Sequence, residues 1–358
     1  MKQRRAAFAK AIFPSWKTFA ALVMVALCWL NPPAKADPQK GILTVTEEDD
    51  SFSNPFRGHQ DRHYTQGLKI SLFSGDGFMT NAATWFNGIL YESDLFSPAN
   101  YNFGLILMGQ NIYTPEDLLA SAPIPTDRPY AGWLYTGAAF QRRSDLAANF
   151  SVAENFEINL GMVGPASLAA QAQTAVHRWW FPDDIPQGWD NQLKNEPGLL
   201  LKYGRSWRWS PTADSARYFD VIPHLGAELG NVATLATGGL SMRAGLNLPA
   251  NFGEQINDSP TSPSSPFTTT SPWFSAYIFG GVDGRAVAHD ITLDGNSFRD
   301  GPSVDKYPFV ADLSWGFALQ ISSYLELAYV HVERTKQFRG QQGNDLFGSI
   351  NLKFNLQF

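Results

Sequence analysis

The sequence predicts an all-β protein, a transmembrane antiparallel up-and-down β-barrel of about twelve strands with short helical segments in its loops. In the last segment Ile350, Leu352, Phe354, Leu356 and Phe358 alternate with polar residues, as on a strand with one apolar face. The composition is 14% aromatic but only 17% charged. No stretch of the mature chain reaches the ~18 apolar residues that a membrane helix needs. A β-barrel accounts for an aromatic-rich, charge-poor chain without a long apolar stretch, because each of its strands is apolar only at every second residue.

The N-terminus predicts a cleaved secretory signal peptide over residues 1–36. Lys2 and two arginines precede an apolar run from Phe19 to Leu30, and Ala34-Lys35-Ala36 is a small-x-small cleavage signal. Cys28, the one cysteine, lies in this run, and Leu27 before it does not suit a lipoprotein cleavage site. The expected mature barrel, residues 37–358, therefore has no thiol for disulfides or metal ligation.

Twelve segments have strand-like alternation, an even number as single-chain bacterial barrels require. They lie near residues 41–48, 65–74, 101–110, 131–142, 150–163, 197–209, 218–231, 237–247, 273–284, 307–321, 322–334 and 347–358. A secreted β-sandwich is the alternative, because alternation does not say whether the apolar face meets lipid or a second sheet. The terminal Phe strand and an expected aromatic girdle favour the barrel. The girdle candidates are Trp133, Tyr135, Trp207, Trp209 and Trp273.

If both termini lie in the periplasm, the connections after odd-numbered strands face outward. Segments 49–64, 111–130 and 164–196 then meet at one extracellular rim and hold most of the unusual polar residues. Loops carried by a rigid scaffold are where function concentrates. The external segment 285–306 is long but its sequence indicates no role. On the opposite side, 75–100 is expected to include a helix around 82–90, and the Ser/Thr/Pro-rich segment 249–272 is expected to be mobile.

Four consecutive carboxylates, Glu47 to Asp50, end the first predicted strand. Such a run is usually a solvated acidic edge, but oxygen ligands of this kind also suit a hard cation such as Ca²⁺. In the third rim segment, residues 166–178 lack proline and are expected to be helical. Gln173 and His177 would then share one face, being four residues apart. A lone helical histidine is more often structural, but beside a carboxylate and a cation a neutral imidazole can activate water.

Several ordered motifs resemble the lipid A 3-O-deacylase family, a group of outer-membrane enzymes. The motifs are Asp49-Asp50-Ser51-Phe52, Asp61-Arg62-His63-Tyr64-Thr65, Tyr113-Thr114-Pro115, Asp127-Arg128-Pro129-Tyr130-Ala131-Gly132 and Gly164-Pro165 with Gln173 and His177-Arg178. The resemblance runs from about residue 43 to 205, and each motif is weak alone but specific in combination. The resemblance implies a twelve-stranded barrel that uses Ca²⁺ to hydrolyse the ester of the 3'-linked acyloxyacyl chain of lipid A, with its site facing the outer leaflet.

The resemblance also implies roles for individual residues. His177 corresponds to the general base, Asp50 to the essential acid near the metal, and Thr65 to a hydroxyl residue on the second strand. Gln173 and Asp183 match polar neighbours of the histidine, and Asp183 is expected to orient its imidazole. Asp49 stands where the family has Asn and is a second candidate calcium ligand, because a carboxylate also ligates calcium through oxygen.

Arg62, Arg128 and Arg178 are candidates for binding lipid A phosphates, because a guanidinium pairs bidentately with phosphate. Each could equally be a loop-structuring salt bridge. A serine acyl-enzyme is the competing chemistry, but the sequence has no Gly-x-Ser-x-Gly elbow, and Ser51 has no evident adjacent base.

Two other classes of function remain open, a passive porin and a surface-binding barrel without catalysis. Twelve strands can enclose a narrow pore or an interior filled by side chains. The expected partners are lipid A or lipopolysaccharide and the bacterial outer membrane. The net charge of -6 argues against nucleic acid, and a monomer is expected.

Overall fold

A computed structural model of the chain contains a closed antiparallel barrel of twelve strands. It describes residues 40–53, 61–74, 78–89, 100–182, 184–257, 259, 261, 273–322 and 324–357. The predicted signal peptide lies outside the described residues. Each strand pairs with its neighbours in sequence, and β1 closes the barrel on β12, from Lys40 opposite Gln357 to Asp49 opposite Gly348.

All twelve predicted strands are confirmed, with shifted boundaries. They are β1 (Lys40–Asp49), β2 (His63–Ser74), β3 (Asn100–Thr114), β4 (Ala131–Ala147), β5 (Phe150–Val163), β6 (Glu196–Trp209), β7 (Phe219–Gly230), β8 (Ala233–Leu246), β9 (Ser275–Asp290), β10 (Phe309–Gln320), β11 (Leu325–Arg334) and β12 (Asp345–Gln357). The largest difference is in β9, which continues to Asp290. The predicted external segment 285–306 is therefore shortened to the connection 291–308.

Three α-helices lie in the described connections: α1 (Phe78–Ile89), α2 (Ala169–Trp180) and α3 (Ile291–Asp294). The first two confirm the helices expected near 82–90 and 166–178. A 3₁₀ turn, Pro165–Ser167, precedes α2, and Leu168 between them adopts a left-handed conformation with φ of 60°. The helix therefore begins three residues later than expected.

The outer wall of the barrel is apolar, as the alternating strands predict. Exposed outward side chains include Leu160, Leu199, Leu201, Leu225, Leu229, Met242, Ile278, Val282, Leu313 and Phe317. Within the described part of the chain, no helix has the length and apolarity to cross a bilayer.

The expected aromatic girdle is correct in part. Trp209 and Trp273 are exposed near strand ends, but Trp133 and Tyr135 are 3% and 5% exposed. These two rings stack 5.4 Å apart and line a cavity in the lumen. Assigning them to the girdle was wrong, because alternation gives the period of a strand but not which set of residues faces inward.

The lumen contains paired charges beside buried aromatic and apolar side chains such as Trp133, Tyr135 and Leu200. Lys69 binds Glu157 at 2.8 Å, and Arg243 binds Asp220 at 2.6 Å. Similar pairs join Lys202 to Glu228, and both Arg285 and Arg334 to Asp312. Charges buried in this way need partners, because an isolated charge loses its hydration without compensation.

Part of the β8–β9 connection also folds into the lumen. Asn257 donates its backbone N–H to Glu48 Oε1 at 2.8 Å, and Asn351 Nδ2 donates to the carbonyl of Gln255 at 2.9 Å. The expectation that segment 249–272 is mobile therefore fails for residues 249–257, which these bonds hold in place; residues 262–272 lie outside the described residues. A lumen occupied in this way differs from an open, polar channel.

Lys353 joins the inserted segment to the barrel wall, with Nζ 2.7 Å from Glu254 and 2.6 Å from Glu326. We expect Lys353→Met to lower the free energy of unfolding by about 3–5 kcal/mol, because two buried carboxylates lose their cation. Urea unfolding in detergent measures this change. The exposed Lys336 provides the control: Lys336→Met should change stability by less than about 0.5 kcal/mol. Equal effects of the two substitutions would contradict the role of Lys353.

Connections after the odd-numbered strands meet at one end of the barrel, here called the loop rim. The connection 291–308 is held there by several hydrogen bonds. The Glu196 carboxylate accepts from Asn296 Nδ2 and from the backbone N–H groups of Ser297 and Phe298. The rim is thus a bonded set of loops, which gives the functional side chains a rigid support.

Candidate functional site

The first connection of the rim and helix α2 meet at one carboxylate, that of Asp61. Its Oδ2 accepts a hydrogen bond from Gln173 Nε2 at 2.6 Å and lies 2.8 Å from His177 Nε2. Gln173 and His177 therefore share a helix face, as their spacing predicts. The three side chains are almost completely buried, at 7%, 3% and 1% exposure in chain order.

The amide of Gln173 is fixed at both ends. Trp189 Nε1 donates to Gln173 Oε1 at 2.9 Å, while Gln173 Nε2 donates to Asp61. Trp189 itself packs against Tyr130, with ring centroids 4.8 Å apart. The hydrogen bonds from Trp189 through Gln173 to Asp61 thus hold the Asp61 carboxylate in a defined position against His177 Nε2.

The contact with Asp61 also decides which imidazole nitrogen can act as a base. A carboxylate only accepts hydrogen bonds, so His177 Nε2 carries the proton when Asp61 is ionised. In the neutral imidazole Nδ1 then has the lone pair that can take a proton. This arrangement, a base oriented by a buried carboxylate, is the one that general-base hydrolases use.

Asp50 is a second buried carboxylate beside this group. It begins the 3₁₀ turn Asp50–Ser53 after β1, and its Oδ2 accepts the backbone N–H of Arg62 at 2.6 Å. Oδ1 is buried without a hydrogen-bond partner among the described residues. Burial, and then the negative charges of Asp61, Asp49 and Asp345, raise the pKa of Asp50 well above its ordinary value. A cation bound here would reduce the repulsion among these carboxylates.

Asp49 has a local structural contact. Its Oδ1 accepts the backbone N–H of Ser51 at 2.8 Å, closing the turn in which Asp50 lies. Asparagine could accept the same hydrogen bond, so the departure from the family residue leaves the turn intact.

Among the described residues, no three His, Cys, Asp or Glu side chains converge as a metal-binding group.

Thr65 lies where β2 and β3 lose their regular register, between the pairs Tyr64–Tyr113 and Gln66–Ile112. Its hydroxyl is 2.7 Å from the hydroxyl of Thr114, and both are buried. Bulges of this kind often lie next to active sites, where they redirect a side chain.

Helix α2 lies against the outer side of the barrel wall. On β3, Asn111 and Tyr113 line a cavity in the lumen, so the alternating Ile112 points outward. Ile112 is fully buried in one cluster with Ala169 of α2 and Trp189. Gly132 allows the close approach, since a Cβ there would lie 2.1 Å from Ser167 Oγ. The helix that carries Gln173 and His177 is thus packed on the wall outside the lumen.

The three candidate phosphate-binding arginines have different surroundings. Arg62 donates to the carbonyls of Gln342 and Asn344, at 3.1 and 2.7 Å. Arg128 is 1% exposed and donates to Gln337 and Thr292. Both therefore join loops, the alternative left open for them. Arg178 on α2 is exposed and forms no hydrogen bond or ion pair with any described residue.

Asp61 is the main site residue that was not predicted from the sequence. It begins the motif Asp61-Arg62-His63-Tyr64-Thr65, but its partner on α2 is 116 residues further along the chain. Asp183, predicted to orient the histidine, lies outside the described residues, so its role stays a prediction. The available signal was an acidic residue that could orient His177. Asp61 and Asp183 both fitted this description, and the family resemblance favoured Asp183.

The fold and the site define a bacterial outer-membrane β-barrel with a buried His–Asp pair at one rim. The chain matches the family described as outer membrane protein LpxR over residues 19–356. It belongs to that family and is an outer-membrane protein of the lipid A deacylase type. A comparison with curated proteins gave no match.

A comparison with solved structures gave one match that supports the same fold and a second with a low TM-score. LpxR from Salmonella typhimurium superposes with a TM-score of 0.67 at 19% identity, covering 87% of this chain and 99% of that one. The translocator domain of the autotransporter NalP from Neisseria meningitidis has a TM-score of 0.42 at 7% identity, covering 95% and 96% of the two chains.

Proposed function

We propose that this barrel is a calcium-dependent hydrolase that removes the 3'-linked acyloxyacyl chain from lipid A in the outer leaflet. The observation that carries the proposal is the contact of His177 Nε2 with Asp61, 2.8 Å apart and beside the buried Asp50. A purely structural histidine does not require a carboxylate of this kind, which orients the base and stabilises its protonated form. Family membership supports lipid A as the substrate.

In the proposed mechanism, His177 Nδ1 removes a proton from water as the water oxygen attacks the ester carbonyl carbon. The carbonyl oxygen takes the electron pair and becomes an oxyanion. When the oxyanion collapses, the bond to the sugar oxygen breaks and the protonated His177 returns its proton to that oxygen. The products are a carboxylic acid and a sugar hydroxyl. Asp61 stabilises the imidazolium between these two steps.

The Asp50 carboxylate fits a calcium ion, because its buried Oδ1 has no described hydrogen-bond partner and lies in a negative field. Asp50 would hold the ion, with Asp49 a second candidate ligand that now caps the Ser51 N–H. Hydroxyl, amide, water or substrate oxygens would complete the shell, since Ca²⁺ takes six to eight oxygen ligands. When bound, the ion supplies positive charge that stabilises the oxyanion.

Placing the loop rim on the extracellular side would bring this site to the leaflet that holds lipid A. The position of α2 on the outer wall supports this arrangement, because a lipid reaches the wall directly from the bilayer. The inserted residues 249–257 and the paired charges of the lumen make a diffusion channel the weaker alternative. We expect the barrel to act as a monomer, since the proposed site is built from one chain.

Mass spectrometry of lipid A tests the proposal, using a Gram-negative host that expresses the barrel in calcium or in chelator. We expect loss of one acyloxyacyl mass with calcium and unchanged lipid A after chelation. Restoring calcium should restore the reaction. Unchanged lipid A in calcium, with barrel insertion verified, would contradict the proposal, and deacylation that persists in chelator would refute the metal requirement alone.

Asp61→Asn tests the orienting carboxylate. The amide keeps the size of the side chain but has no negative charge to stabilise the imidazolium, so we expect the rate to fall by roughly 10²- to 10⁴-fold. The fall should appear in kcat, with little change in KM, and should be accompanied by an altered pH–rate profile. Asp190→Asn, the same substitution at an exposed aspartate of the connection that carries His177, serves as a control. A rate and pH profile like those of the unaltered barrel would show that Asp61 is only structural.

A further inference from the structure

Helix α2 has two sharply different faces. Ala169, Gln173 and His177, spaced by four residues, are buried against the barrel, whereas Gln171, Ala175, Arg178 and Trp179 are exposed. The buried face carries the proposed base. The opposite face points away from the outer wall and has no described side chains covering it.

Large apolar groups lie along this outward side. Trp179 is 82% exposed although His177, two residues before it, is 1% exposed. Leu168, immediately before the helix, is 52% exposed. Tryptophan is highly buried on average in soluble proteins, whereas at membrane surfaces its amphipathic ring lies at the level of the lipid headgroups. The exposure of Trp179 is therefore the pattern of an interfacial residue.

The outward side of α2 faces away from the barrel, in the same direction as the apolar outer wall on which the helix packs. The helix lies in the connection between β5 and β6, whose outward residues Leu160, Leu199 and Leu201 are 55%, 39% and 40% exposed. Arg178 adds an exposed cation, unpaired among the described residues, next to Trp179. An apolar surface with an exposed guanidinium that no described residue pairs is complementary to a lipid that has a phosphate headgroup.

We propose that the outward face of α2 is a docking surface for anionic, phosphate-bearing lipids, with Trp179 at the headgroup level and Arg178 binding the phosphate. The inference rests on the proposed function in placing the loop rim at the outer leaflet. It extends that function by giving the substrate a lateral route to His177 along the helix rather than through the lumen. Arg178, and not Arg62 or Arg128, is then the arginine that binds the lipid phosphate.

The test uses lipid quenching in the full barrel. Trp179→Cys, combined with Cys28→Ser, is labelled with an environment-sensitive fluorophore and placed in phosphatidylcholine–phosphatidylglycerol vesicles. Nitroxide-bearing lipids should quench the label, and aqueous iodide should not. The positive control is Leu160→Cys on the lipid-facing wall. The negative control is Gln342→Cys on an exposed rim loop, where iodide should quench and lipid should not.

A second comparison tests the role of Arg178. Nitroxide phosphatidylglycerol should quench the Trp179→Cys label at about five-fold lower concentration than nitroxide phosphatidylcholine, as expected for one basic residue near an anionic surface. Arg178→Gln should abolish this preference, and salt should weaken it. Iodide quenching at position 179 like that at 342 would overturn the docking surface, and equal quenching by both lipids would overturn phosphate binding. Neither readout depends on deacylation, so failure of the enzymatic proposal would be seen separately.

Discussion

His177→Ala is expected to lower deacylation by roughly 10²- to 10⁴-fold, the usual contribution of a general base. The substitution removes the nitrogen that accepts the proton of water, and the rest of the site stays in place. The side chain is buried against Asp61 on a helix outside the barrel wall, so strand pairing should be unaffected. Mass spectrometry of lipid A over time measures the rate, and heat-dependent gel migration verifies the folded barrel.

His289→Ala is the matched control for this experiment. His289 lies at the rim end of β9, where its Nε2 contacts the carbonyl of Asn231 at 3.0 Å and its Nδ1 lies 3.2 Å from Asp294. It has no contact with the Asp61 group, so we expect ordinary activity from the variant. A folded His177→Ala barrel that deacylates at the normal rate would eliminate the water mechanism. An equal loss in both variants would indicate general damage to the rim.

Asp50→Asn is expected to abolish calcium-dependent turnover while stabilising the barrel in chelator. Without a cation, the Asp50 carboxylate is buried among the negative charges of Asp61, Asp49 and Asp345, which disfavour its ionised form. An amide removes this repulsion and the associated cost. Calcium should raise the Tm of the unaltered barrel, because it binds the folded state, and should leave the Tm of the variant unchanged. Thermal unfolding with and without calcium measures both effects.

Asp49→Asn tests whether calcium binding needs the charge of Asp49 in addition to that of Asp50. Asparagine can still accept the Ser51 N–H and thus preserve the turn, so we expect calcium-dependent activity and a calcium-dependent Tm close to those of the unaltered barrel. Loss of both effects would identify Asp49 as an essential ligand. If Asp50→Asn retained the full calcium response, the cation would have to bind elsewhere.

The strands could be predicted because each one has its own alternation of apolar and polar residues. In β12, Leu352 and Phe354 recur at every second position, and the same period appears in all twelve strands. The ends of the strands were less predictable, since β9 pairs with β10 as far as Ala286 and with β8 as far as Asp290. Pairing energy from neighbouring strands is not encoded in the alternation of any one of them.

The candidate site was predictable only as a set of residues. The four-residue spacing of Gln173 and His177 determines that they share a helix face, and the structure bears this out. The partner of that face, Asp61, comes from a loop more than 100 residues away. Likewise, nothing local to Trp133 distinguishes a ring in the lumen from one in the lipid belt. Such assignments depend on which surfaces meet after folding.

By itself, the sequence determined the barrel class and the twelve strands and made His177, Gln173 and Asp50 candidates for the site, because periodicity and side-chain chemistry are local properties. Only the tertiary structure decided that α2 packs on the outer wall, that residues 249–257 enter the lumen, and that Asp61 rather than another described acid contacts His177. Those outcomes follow from closure of the sheet, which brings distant loops to one rim. Closure also buries charged side chains, which are stable only beside groups of opposite charge.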